Sequence, residues 1–353
     1  MRTSVLLLCA GITCGLVGCS ASPTPIKATA TKTTPTPQSQ PLPSTLYDYT
    51  IHPPSSSQHA EVKTETKSQV QAQYWDVTTL SHAVKDADIV LVGEWHGHPA
   101  VHLLQAQLLA ALYHSDPNIT VSMEQFSRDK QHVINQYLAG EIGEETLIRH
   151  GKAWPNYRSD YRPLIEFAKQ HQLDVIAANV PRSIVRCVGK MGPDYLDRLP
   201  PIERTWAAQR LTLERDAYRD AFETLMAPGA NGAHSRTQTN NHLFAAQTTW
   251  DDTMAESMVN HLAQFPSRQI LHIAGRFHVT QGLGLASRIA ARNPALSVVM
   301  ITPVTTETPL PDGAPDYTFT VQALPVRYIN EKEMQQAMGQ RVHPTSINAC
   351  RDK

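Results

Sequence analysis

The side chains best suited to chemistry follow short apolar runs of the sequence. After residues 88–92 comes Gly93-Glu94-Trp95-His96-Gly97-His98, and after 119–123 comes Glu124-Gln125. After 173–177 the chain reads Asn179-Val180-Pro181-Arg182, and after 269–274 it reads Gly275-Arg276-Phe277-His278. Carboxylates and imidazoles so placed can share the work of general acid and base. Alternatively they can give N and O donors to one divalent metal and leave a position open for water. Glu94, His96, Glu124 and His278 are therefore the candidate catalytic or metal-ligating set. Two carboxylates in one crevice should repel, so one pKa is expected to rise unless a cation or proton lies between them. His98 and His102, spaced i to i+4, form a second pattern that a metal can use. One Glu or His at a strand end is an ordinary cap, but four strand ends bearing such groups together point to a functional crevice.

The runs that would position these groups are short, β-branched and continuous, as strands buried on both faces are. Residues 296–301 add a fifth. Helical patterns fall at 99–114, 128–138, 162–171, 201–226, 248–265 and 282–292. This alternation predicts an α/β fold, a mainly parallel sheet flanked by helices, with right-handed crossovers. Ligands of such sheets bind beyond the carboxyl ends of the strands. The interval 141–226 holds one strand, so some of its helices are expected to form a cap over the sheet, spanning about 128–245 and inserted after the second and third strands.

With 31 basic and 32 acidic residues the formal charge is −1, which lacks the basic excess of a nucleic-acid binder. Arg2, an apolar stretch over 5–17 and Leu16-Val17-Gly18-Cys19 form an export leader over 1–19 that resembles a bacterial lipobox, with Cys19 as the lipidated residue. Ser20 after that cysteine, by resemblance to Gram-negative lipoproteins, favours the outer membrane. Between Ser20 and His59, seven Ser, eight Thr and eight Pro occupy 23 of 40 positions, so a disordered tether is expected over 20–73. The α/β domain then occupies 74–353. No second apolar run reaches 18 residues, so no internal membrane span is expected. Cys187 and Cys350 remain after the leader and could pair, too few for a disulfide framework or a zinc site. Gly-x-Ser-x-Gly, Walker A and Cys-x-x-Cys-His motifs are absent from the sequence.

The two Gly-x-x-His motifs, Gly93 to His96 and Gly275 to His278, with Glu94, Glu124 and Arg182, resemble the superfamily of Tiki proteases, erythromycin esterases and ChaN lipoproteins. Ala246-Gln247, Trp250-Asp251, Met254-Ala255, Tyr161-Arg162-Pro163-Leu164, Phe167-Ala168 and Ala178-Asn179-Val180-Pro181 bring the resemblance closest to ChaN, over about 88–301. The resemblance implies a haem-binding protein of iron acquisition, a homodimer around two cofacial haems, a tyrosine iron ligand and an outer-membrane haem receptor as a possible partner. For ferric haem a phenolate is a suitable hard donor. Tyr157 and Tyr161 are the candidates, each followed by an arginine expected to lower the phenol pKa and to pair with a haem propionate. Arg162, Arg182, His234 and His242 complete the expected haem-binding residues. Two other classes stay open: a hydrolase, either a metal-dependent Tiki-like protease or an esterase, using the strand-end crevice, and a purely structural surface lipoprotein.

Overall fold

The computed structural model describes residues 42–54, 75–226, 236–341 and 350, all within one compact unit, Ser39–Lys353. The leader with Cys19, most of the expected tether and His234 lie outside the described residues. Seven strands form one mixed, mostly parallel sheet: β1 (Tyr49–His52), β2 (Ile89–Glu94), β3 (Ile119–Ser127), β4 (Val175–Asn179), β5 (Gln269–Gly275), β6 (Val298–Val304) and β7 (Tyr317–Val321). Their order is β1-β7-β6-β2-β5-β3-β4, and the β1 and β7 pair is the antiparallel one. The five strands read from apolar runs are all present. β1 and β7 were not foreseen, and β1 falls inside the stretch whose composition predicted a tether. Ile51, opposite Phe319 in the antiparallel register, is buried, which is enough to dock four residues that a 40-residue average hides.

Side-chain alternation assigns the faces. Val90 and Val92 of β2 and Leu271 and Ile273 of β5 pack with the helices α1 (Val77–Val84), α2 (Pro99–Ser115), α3 (Gln131–Leu138), α4 (Glu144–His150) and α5 (Arg162–Gln170). Ile89, Leu91, Ile270 and Ala274 point to the other face, where Met254, Ala255 and Met258 cover them together with Leu285 and Ile289. The expected cap therefore divides in two. Its first part, α3 to α5, joins the cover of the sheet. After β4 come α6 (Arg182–Met191), α7 (Pro201–Arg204), α8 (Ala217–Leu225) and the long α9 (Arg236–Gln264), followed by α10 (Arg276–Val279), α11 (Leu285–Arg292) and α12 (Glu331–Arg341). α6 packs with the first half of α9 in a separate apolar cluster, closed by a Cys187–Cys350 disulfide. The set of helical patterns expected over 201–226 is α7 and α8 with irregular chain between them, which Asp216 ends by capping α8 through the Arg219 N–H at 2.8 Å. No helix among the described residues is long and apolar enough to cross a membrane.

Candidate functional site

Strand alternation puts the two strand-end glutamates on opposite faces. Glu94 continues the Val90 and Val92 series and turns toward α2, whereas Glu124 continues Thr120 and Ser122 and turns toward α9. β2 and β3 are separated by β5, with Glu94 level with Gly275. The polar groups thus form two clusters rather than one.

The first surrounds Glu94, which is 2% exposed. Its Oε1 accepts from Tyr161 OH at 2.6 Å and Gln125 Nε2 at 3.1 Å, and pairs with His96 Nδ1 at 2.6 Å. Oε2 accepts from Gln105 Nε2 at 2.8 Å, with His102 Nδ1 3.7 Å away. Burial alone would raise the carboxyl pKa. The donors, His96 foremost, and the nearby His102 outweigh it and hold Glu94 below the ordinary carboxylate value. The rise expected from carboxylate repulsion is therefore reversed at Glu94, because donors rather than a second acid surround it. Burial likewise opposes the charged form of His96, yet the hydrogen bond to Glu94 and the Glu124 charge raise its pKa. The His96 side chain is 46% exposed and stands edge-on to Trp154.

The second cluster centres on His278. Its Nδ1 lies 2.7 Å from Asp251 Oδ1, and its Nε2 lies 3.9 Å from Glu124 Oε1. Glu124 Oε2 accepts the Gly275 N–H at 2.6 Å. Asp251 is fully buried and also accepts from Tyr218 OH at 2.8 Å. Burial disfavours the imidazolium, but Asp251 and then Glu124 more than compensate, so His278 is pushed up to about 9. Gly275 lets the clusters approach each other: a Cβ there would lie 3.3 Å from His96 Cε1 and 3.5 Å from His278 Cδ2.

His96, Glu124 and His278 open onto one polar crevice of about 800 Å³ that Gln125, Trp154 and Arg182 also line. Among the described residues, no three or more His, Cys, Asp or Glu side chains gather as a metal site. The expected four-residue donor set is not brought together, because Glu94 turns toward α2 and Glu124 toward α9, although Asp251 on Nδ1 leaves His278 Nε2 directed at Glu124. His98 and His102 diverge as well: His98 Nε2 meets the Gln322 carbonyl at 2.8 Å, while His102 turns to Gln105 and Glu94.

Tyr157 and Tyr161 lie on a π-helical turn, Tyr157–Tyr161, and each is 1% exposed. The lowering expected from arginine is outweighed, although Arg162 does act in that direction on Tyr157. Burial raises both phenols far above their ordinary value, and at Tyr161 the Glu94 charge adds to it. Arg162 is drawn away by Glu144, at 2.5 and 3.0 Å, and Arg158 by Glu145. Arg182 is exposed at the start of α6 and borders the crevice. The half-buried His242 ring packs against Gly192 at the end of α6. Sequence reasoning missed Gln105 and Tyr218 as site residues, quoted Gln125 at a strand end without giving it a role, and used Asp251 only as part of a resemblance. One signal was available for Asp251: Thr248, Thr249, Asp251, Asp252 and Thr253 form a polar run within a helical pattern, and all are fully buried.

Beside the crevice, between α6, the end of α8 and α9, runs an apolar trough of about 600 Å³ that shares Arg182 and Trp250 with it.

Comparison with known proteins agrees with this architecture. ChaN of Campylobacter jejuni, solved with cofacially bound haem, superposes with a TM-score of 0.58 at 16% identity, covering 78% of this chain and 98% of that one. A variant of the erythromycin esterase EreC in its open conformation matches at a TM-score of 0.41 and 13% identity, over 77% of this chain and 85% of its own. In sequence, the chloroplastic protein RETICULATA-RELATED 5 of Arabidopsis thaliana is 24% identical over 199 residues, which are 53% of this chain and 26% of that relative. The family described as haem-binding uptake, Tiki superfamily, ChaN matches residues 80–289, more than half of the chain, and the chain belongs to that family.

Proposed function

We propose that this protein captures ferric haem as cargo at the cell envelope, anchored by lipid on Cys19 and working as a homodimer that passes haem to or from an outer-membrane receptor. The observation that carries the reading is the apolar trough opening beside the polar crevice at the strand ends. A flat apolar macrocycle with an acidic edge suits such a site. One chain covers one face of the ring, and a second copy would bury the other, in line with the cofacial arrangement of the Campylobacter jejuni protein. Ligation of iron by Tyr157 or Tyr161 would require the π-helical turn to open and, for Tyr161, Glu94 to lose a donor. Titrating ferric haemin into the full chain tests the proposal. A shifted absorbance band saturating at one haem per chain, with conversion to dimer in sedimentation, is expected. An unchanged spectrum would remove the haem reading, and a haem-saturated monomer would remove the dimer. Loss of acyl labelling in Cys19→Ala is expected if the anchor is correct, and unchanged labelling would dispose of it.

A second reading, hydrolysis, is favoured by the Glu94 and His96 pair at 2.6 Å, whose imidazole faces the crevice. Ester and peptide panels, run with and without chelator, would then show turnover that disappears in His96→Ala. Turnover retained in that variant would dissociate any activity from the pair.

A further inference from the structure

We infer that the trough recognises its ligand by carboxylates: a row of unpaired cations on α6 receives the two propionates of a tetrapyrrole whose ring lies on the apolar floor. The inference rests on the haem reading above and names the residues that would give it specificity. Val185, Phe222, Leu243, Ala246 and Trp250 supply the apolar part of the trough. Arg182, Arg186 and Lys190 lie along its α6 side. At i, i+4 and i+8 they share one helical face, with a rise of about 6 Å between successive members.

What sets these cations apart is that three of them without acidic partners border one apolar trough. Several other arginines are matched to acids: Arg128 with Glu256, Arg162 with Glu144, Arg268 with Asp174 and Arg292 with Asp252. Arg182, Arg186 and Lys190 are exposed, and among the described residues none makes an ion pair or a side-chain hydrogen bond. Three uncompensated positive charges along an apolar trough complement an amphipathic anion, and guanidinium groups suit planar carboxylates. A row rather than a single charge favours two carboxylates leaving the same edge of a broad ring over one carboxylate at the end of a lipid chain.

The test compares haemin with haemin dimethyl ester on the full chain and on an Arg186→Glu, Lys190→Glu double variant. Both side chains are exposed, so the fold should be retained, which a thermal melt verifies. We expect haemin to bind the parent at least ten-fold more tightly than the ester does. The double variant should lose at least ten-fold in haemin affinity while binding the ester unchanged, and an equal concentration of oleate should not displace haemin. Equal affinities for haemin and ester, or undiminished haemin binding by the folded double variant, would overturn the assignment while leaving the haem reading in place. Displacement by oleate would assign the trough to a monocarboxylic lipid and overturn it as well. Absence of haemin binding by the parent would bring down both readings.

Discussion

The two clusters at the strand ends contain similar residues but reach opposite charge arrangements. Around Glu94, one acid is surrounded by donors from α2, β3 and the π-helical turn, so the carboxylate is kept ionised. Around His278, one imidazole is placed between two acids, so the proton is kept on the ring. The difference follows from the sheet. Alternation sends Glu94 toward a helix bearing amide and imidazole donors, and Glu124 toward the face of α9, from which Asp251 holds His278. Residue type at a strand end is thus a poor guide to protonation state, and the facing helix decides it.

Removing the anion from the first cluster should give the largest effect. Glu94→Ala leaves the Tyr161 hydroxyl and the Gln105 and Gln125 amides without their acceptor in a buried place. A loss of about 3–5 kcal/mol in unfolding free energy is expected, as for breaking a buried charge and its partners. Glu94→Gln keeps the volume and some of the bonds and should lose about 1–2 kcal/mol. Urea unfolding of the three proteins measures both values. An Ala variant with the parent's midpoint would show that the cluster does not join α2 to the π-helical turn.

Much of this arrangement was legible in the sequence, and the losses have physical causes. Strands β2 to β6 read clearly because burial on both faces makes each a continuous apolar run. β1 and β7 carry alternating residues such as Tyr49-Thr50-Ile51-His52, which pair at one side of the sheet and resemble polar loop in composition. Glu94, His96, Glu124 and His278 were legible as strand-end groups. Their separation into two clusters was not, since it depends on the strand order and on β5 lying between β2 and β3. Tyr161 was found for a reason the structure reverses. Neighbours in sequence diverge on the π-helical turn, so Tyr161 reaches Glu94 while Arg162 reaches Glu144.

The second cluster should make stability depend on pH. The folded pKa of His278, about 9, exceeds the ordinary 6.5, so its stabilisation is complete below pH 6.5 and is lost as pH rises through 9. The full span corresponds to a loss on the order of 3 kcal/mol. Unfolding free energies at pH 6, 7.5 and 9.5 should fall in that order. Asp251→Asn removes the main charge holding the proton and should flatten the decline. An Asn variant with the parent's slope would mean that other groups set the alkaline limit.

The smallest expected effect contrasts His278 with His272, six residues earlier on β5. His272 is fully buried, with Nδ1 2.8 Å from Ser122 Oγ, and no carboxylate contacts its ring among the described residues. Burial, with the nearby His278 charge, pushes its pKa down to about 3. The sign is opposite to that of His278: stability is present above pH 6.5 and declines as pH falls toward 3, because only the unfolded chain takes up the proton readily. Between pH 6.5 and 5.5 the loss should be about 1 kcal/mol. His272→Asn cannot titrate in this range, so whatever its absolute stability, its slope over that interval should be shallower than the parent's. Equal slopes would show that the ring finds a way to be protonated inside the sheet, and the contrast between a histidine held neutral on β5 and one held charged on α10, just beyond its end, would fail.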